Sequence, residues 1–154
     1  MYAPLEVTEF SGARANASAR DLALFRLERA RVAVSAAIQG MTAGVANRPI
    51  APGKWSVRQM VLHLAFWDRE VLARYVEPAA ARGQRASIGH DELETMNAAG
   101  VAALEHHDWE EARRLLQEAR ERLWEALESI PAEPAGTWLP DHAVGDLIEE
   151  VTAH

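Results

Sequence analysis

Pro52-Gly53-Lys54-Trp55-Ser56-Val57-Arg58-Gln59-Met60-Val61-Leu62-His63-Leu64-Ala65-Phe66-Trp67-Asp68 reads as a loop that turns into a helix. The proline and glycine cannot continue a helix, so a new element must start after them. Ser56 offers a side-chain oxygen to the orphan N–H groups of a first turn, and Gln59, three residues on, completes a capping box. Trp55, just ahead of the cap, occupies the place of a hydrophobic staple residue. Val57, Met60, Leu64, Trp67 and Val71 then recur at helical spacing, which predicts a buried stripe on a helix bounded by Pro78. His63 lies three residues after Met60 and four before Trp67, on the edge of that stripe.

Outward from this stretch the same period continues. Residues 1–16 carry no clear pattern and read as an arm of one domain spanning 1–154. From about Ser18, Leu24, Leu27, Arg31, Val34, Ile38, Met41 and Val45 are spaced as one stripe on a long helix. Arg31 is its only polar member, and a guanidinium on a long stem reaches water from a stripe edge. Asn47 to Lys54 is a connector. Downstream, residues 79–89 are small and polar, a loop, and a third helical region starts near Asp91 with Leu93, Met96, Val101 and Leu104. His106-His107-Asp108 interrupts it, and Asp108 with Glu111 repeats the capping-box pattern. The spacing predicts a break or kink within one long antiparallel element. Ala112, Leu116, Ala119, Leu123, Ala126 and Ile130 form the next stripe, with the pairs Glu110/Arg114 and Glu118/Arg122 on the solvated face. Pro131 to Pro140 is a second connector, and Val144, Leu147 and Val151 open a last helix. Four amphipathic helices without strand-like alternation predict an all-α four-helix bundle.

Composition narrows the function classes. The chain has 154 residues, 49% apolar and 25% charged, enough for one globular core. It has no cysteine, so disulfides, thiolate metal sites and cysteine nucleophiles are excluded, and any metal must be held by His, Asp, Glu or water. The net charge is −7 with no basic patch, which argues against a nucleic-acid partner. The first residues lack the basic and apolar regions of a signal peptide, and no apolar run reaches the ~18 residues of a membrane span. The expectation is a soluble, cytoplasmic protein.

The last helix has no stop signal: the sequence ends on His154 about ten residues after Val144, without glycine, proline or a basic turn. Its partners are roughly twice as long, so we read the natural C-terminus as lying beyond His154. The Val144, Leu147, Val151 series continues onto His154, which turns it towards the bundle interior. His63 and His154 have two readings. One is a pair of core histidines hydrogen-bonded to carbonyls or carboxylates; the other is a shared metal site between facing helices. His90 fits a helix start, His106 and His107 fit surface or capping groups at the break, and His142 lies near the start of the last helix. Trp67, one turn beyond His63, fits either core packing or the lining of a pocket. No H-E-x-x-H, G-x-S-x-G or phosphate loop is present.

Residues 52–68 closely resemble the signature helix of the DinB/YfiT-like superfamily, in which a P-G-K-W-S-V segment leads to a histidine in an H-L-A-x-W context. Residues 143–154 give weaker support. The resemblance implies a DinB-like four-helix bundle with long crossover connections, with His63 as the first metal ligand. It further implies that His154 opens an H-x-x-x-H ligand pair whose second member would fall four residues later. With residues after His154 the site closes on three imidazoles; without them it has two ligands. The implied cofactor is a divalent transition metal, zinc, nickel or iron(II), with a low-molecular-weight thiol as a further candidate. The implied activity is that of a metal-dependent hydrolase or thiol-dependent transferase acting on a small electrophile or thiol conjugate. Glu70, two turns from His63, is the candidate acid–base group. The rival expectation is a non-catalytic, stress-associated bundle that binds or dimerises without metal, and a homodimer suits either.

Overall fold

Ser18 opens the first helix as the sequence predicts. Its hydroxyl accepts the Asp21 N–H at 3.1 Å while the Asp21 carboxylate accepts the Ser18 N–H at 3.2 Å. In the computed structural model, which describes residues 18–72, 90–133, 135–138, 144–145 and 148, helix α1 runs Ala19–Ile38. The predicted stripe on one long helix does not persist to Val45. Gly40 takes a φ of 73°, which glycine adopts without strain, and ends α1. Thr42 then caps a separate short helix, α2 (Ala43–Ala46), and Val45 is left 52% exposed. The connector is a tight return: the Ile50 N–H bonds the Trp55 carbonyl, and Pro49 bridges to Ser56.

Helix α3 (Val57–Phe66) starts on the predicted capping box and continues into a π-helical turn, Trp67–Leu72. Its buried face is Val61, Leu62, Ala65 and Asp68, whereas Met60 of the predicted stripe is 43% exposed. Val57 and Leu64 pack at the margin of the core. The arc shifts because α3 is covered by two elements rather than one. Helix α4 (His90–Leu104) meets it through Asn97 opposite Trp67, Gly100 against Phe66, and the Glu105 carbonyl bonded by Arg58. Helix α5 (Trp109–Glu128) meets it through Trp109, Ala112 and Leu116 near Val61 and Leu62, then Arg120 near Asp68. Position numbers fall along α4 but rise along α5 as α3 ascends. Thus α4 is antiparallel to α3, while α5 runs parallel to it. The predicted kink at 105–108 is therefore a reversal of the chain, recapped by Asp108 and Glu111. The parallel α3 and α5 are thus joined by a long crossover, with α4 on its return.

Helix α5 runs antiparallel to α1, with Arg20 bonded to the Glu128 carbonyl at one end and Arg31 to the Arg120 carbonyl further along. It shares out the core. Its C-terminal half, Leu123 and Leu127, packs with Ala23, Leu24 and Leu27 of α1, with Ile130 and Trp138, and with Val144 and Ile148, two residues in helical conformation. Its N-terminal half packs with Ala46, Val61, Leu62 and Ala65. The predicted α5 stripe holds, except that Leu127, rather than Ala126, is fully buried. On its solvated face the pairs differ from those expected: Glu110 pairs with Arg113 and Arg114 with Glu118. Within the second connector, Ala135–Trp138 forms a 3-10 turn that seats Trp138, whose indole N–H donates to the Pro131 carbonyl at 2.9 Å. No helix among the described residues is long and apolar enough to cross a membrane.

Candidate functional site

His63 emerges two turns into α3, half-buried, on the side of the helix away from Val61 and Leu62. Its ring lies between two indoles. Trp55 is 5.0 Å away centroid to centroid, tilted by 51°, and Trp67 is 6.3 Å away, edge-on at 68°. The capping box that starts α3 also sets Trp55, because the residue before the cap is directed back along the first turn. Trp67 is fixed from the other side: its indole N–H donates to Asn97 Oδ1 at 2.7 Å. Trp67 is thus half-buried helix packing and a wall beside His63 at once. It begins the π-helical turn, a widening of the helix that recurs at functional sites.

The other expected site residues stand as follows. His154 and His142 lie outside the described residues, and the backbone of Glu70 falls in the π turn while its side chain lies outside them. Among the described residues no group of three or more His, Asp and Glu gathers to hold a metal. His90 is the first residue of α4. His106 and His107 stack at 4.0 Å on the turn before α5, where His107 Nδ1 is 3.4 Å from Glu111. They organise that turn and are remote in sequence from His63.

A buried charge cluster, which the sequence reading missed, sits where α1, α3 and α5 meet. Asp68, 5% exposed, has one carboxylate oxygen 3.9 Å from Arg31 Nη2 and 3.7 Å from Arg120 Nε. Each arginine also donates to the other's carbonyl, at 3.1 and 3.3 Å. The Arg31 guanidinium carbon lies 5.9 Å from the centre of the Trp124 ring, a cation–π distance. Arg31 therefore does not snorkel to water as its stripe-edge position suggested; it is buried among these partners. Burial pushes the Asp68 carboxyl up to about 6, outweighing the attraction of Arg31 and Arg120. Burial likewise lowers both arginines from their ordinary value, against the pull of Asp68. The signal in the sequence is Arg31 itself, a charge inside an apolar stripe. Its partners depend on which helices pack side by side, and spacing does not encode that.

A helix-bundle protein with a histidine held between indoles on its second long helix is the class that this fold and site define. The family model of the DinB superfamily matches residues 26–154, and the chain belongs to that superfamily. Comparison with curated proteins and with solved structures found no match.

Proposed function

We propose that the chain is a metal-dependent enzyme of hydrolase or thiol-transferase type, acting on a small electrophile or thiol conjugate at a centre that includes His63. What supports the reading most is the placement of His63. The one histidine of the W-S-V-R-Q helix is half-buried at the wall of a DinB-superfamily bundle, its ring set by Trp55 and Trp67. A neutral imidazole so held is a fitting nitrogen donor for zinc, nickel or iron(II). His154 is proposed as the partner donor from the last helix. A metal bound there would supply Lewis acidity, lowering the pKa of a coordinated water or thiol. The chain's own contribution is to fix the His63 ring, to keep water from one side of it with two indoles, and to hold a proton acceptor nearby, for which Glu70 is the candidate.

The test is metal uptake by protein purified without a polyhistidine tag. The expected result is a transition metal bound with His63→Ala losing it. The loss of affinity should exceed the roughly 10–100-fold typical of outer-shell partners, with helix content and melting retained. Protein that retains no transition metal and takes up none on titration would return the reading to a metal-free binding or dimerisation module.

A further inference from the structure

Among the described residues, Arg58, Gln59 and Asp68, which flank His63 along its helix, are engaged with other partners. Arg58 donates to the carbonyls of Glu105 and His107 at 2.9 and 2.8 Å. Gln59 accepts the Ser56 N–H and donates to Glu105. Asp68 faces Arg31 and Arg120, and the Trp67 N–H is taken by Asn97. Among the described residues, carbon is what this end of α3 leaves open beside the imidazole. Trp55 is 36% exposed, and Met60, one turn before His63, is 43% exposed. Their positions, before the cap and at the fourth helical residue, are those of a hydrophobic staple, which ordinarily closes on itself and excludes water. Here both members stay open. The Trp55 backbone is held by the Ile50 N–H at 3.2 Å and by the neighbouring Pro49–Ser56 bridge, so the loop that carries the ring is ordered before anything binds.

We propose that Trp55 and Met60 form a platform beside His63 that binds an uncharged aromatic group of the substrate. Its catalytic meaning rests on the reading of His63 as a metal ligand, but the binding itself does not. An indole face and a polarisable thioether favour flat, apolar partners and offer an anionic one only desolvation. The substrate class this selects is a small thiol or electrophile that carries an aryl or benzyl group, in preference to a short polar one.

The experiment compares two thiols that differ only in the ring, benzyl thiol and ethanethiol, by calorimetric titration into the zinc-supplemented protein. Benzyl thiol is expected to bind about tenfold more tightly, the scale of one good aromatic contact plus its buried area. Trp55→Ala should erase the ratio, which compares two thiols on the same zinc-loaded protein and so reads the platform whatever the substitution does to zinc uptake. Trp55→Phe should keep most of the ratio, which guards against a variant that merely misfolds, and Met60→Ala should lower it severalfold. Equal binding of the two thiols, or a ratio indifferent to Trp55→Ala, overturns the proposal. Should the protein take up no zinc, the metal reading falls alone. The platform is then read by saturation-transfer NMR with benzyl alcohol against ethanol, where a ring signal lost in Trp55→Ala sustains it and no ring signal overturns it.

Discussion

Gly100 lies inside α4 at the point where that helix crosses α3. A Cβ added there would stand 2.5 Å from Phe66 Cδ1 and 2.7 Å from Cδ2, with Cγ nearer still. The nearest atoms are at the root of the ring, so a small swing of its far edge cannot relieve them, and either the ring must leave its rotamer or the helices must part. Alanine in a helix interior is otherwise better than glycine by about 1 kcal/mol. Overpacking at a helix contact costs about 1–3 kcal/mol. The second effect wins, and Gly100→Ala should destabilise by roughly 1–2 kcal/mol, or about 2–8 °C in melting temperature for a chain of this size. Circular dichroism at the helix band during thermal and urea unfolding measures it. The same alanine in a Phe66→Ala background should instead stabilise by up to about 1 kcal/mol, because the obstacle is gone and the propensity gain is left. A Gly100→Ala protein that melts at or above the parent, or one equally destabilised in both backgrounds, refutes the close approach of α4 to Phe66.

Two further outcomes follow from the caps and the charge cluster. Ser56→Ala removes the acceptor for the Gln59 N–H and should cost about 1 kcal/mol in urea unfolding; an unchanged midpoint would show that the cap is not formed. Asp68 stands at about 6 against an ordinary 3.8, so between those values the folded protein holds a proton that the unfolded chain lacks. Its contribution to stability is full below about pH 4 and lost as pH rises through about 6, on the order of 3 kcal/mol at most. Asp68→Asn should flatten this part of the stability profile, and identical slopes in the two proteins would refute the assignment.

What the sequence made legible is what local chemistry determines. The capping boxes at Ser56 and Asp108 each need only residues three apart, and both form as read; a third, Ser18 with Asp21, forms where the pattern marked only the start of a helix. The α5 stripe is legible because one face of that helix is wholly covered while the other meets solvent. On α3 the periodicity pointed to Met60, yet Val61 and Leu62 are buried, because a helix flanked by two others is covered over a wider arc than a stripe describes. The reversal at 105–108 was hidden because a cap marks where a helix starts and not which way it runs. Val45 kept the helical spacing across a break that Gly40 imposes by conformation. At the site, His63 was found through its neighbours in sequence and Trp67 fitted either packing or a pocket wall one turn on, whereas Trp55 read only as a staple residue beside its cap. The Arg31–Asp68–Arg120 cluster joins residues from three helices, and only the arginine that breaks a stripe announced it.

The antiparallel pairing of α1 with α5 joins residues far apart in the chain, Arg20 to Glu128 being 108 positions apart. Leu24 and Leu27 find their cover on Leu123, Leu127 and segments later still. A ribosome making roughly 5–20 residues per second would leave the apolar face of α1 without its partner for roughly 5–20 s. During that interval α3 and α4 can meet, since the Trp67–Asn97 bond spans only 30 positions, and Arg31 can reach Asp68, but Leu24 and Leu27 have none of their cover. The Leu24–Leu27 face of α1 is therefore made early and buried late. Nascent chains halted before Trp109 should be the ones that chaperones hold and that aggregate when released.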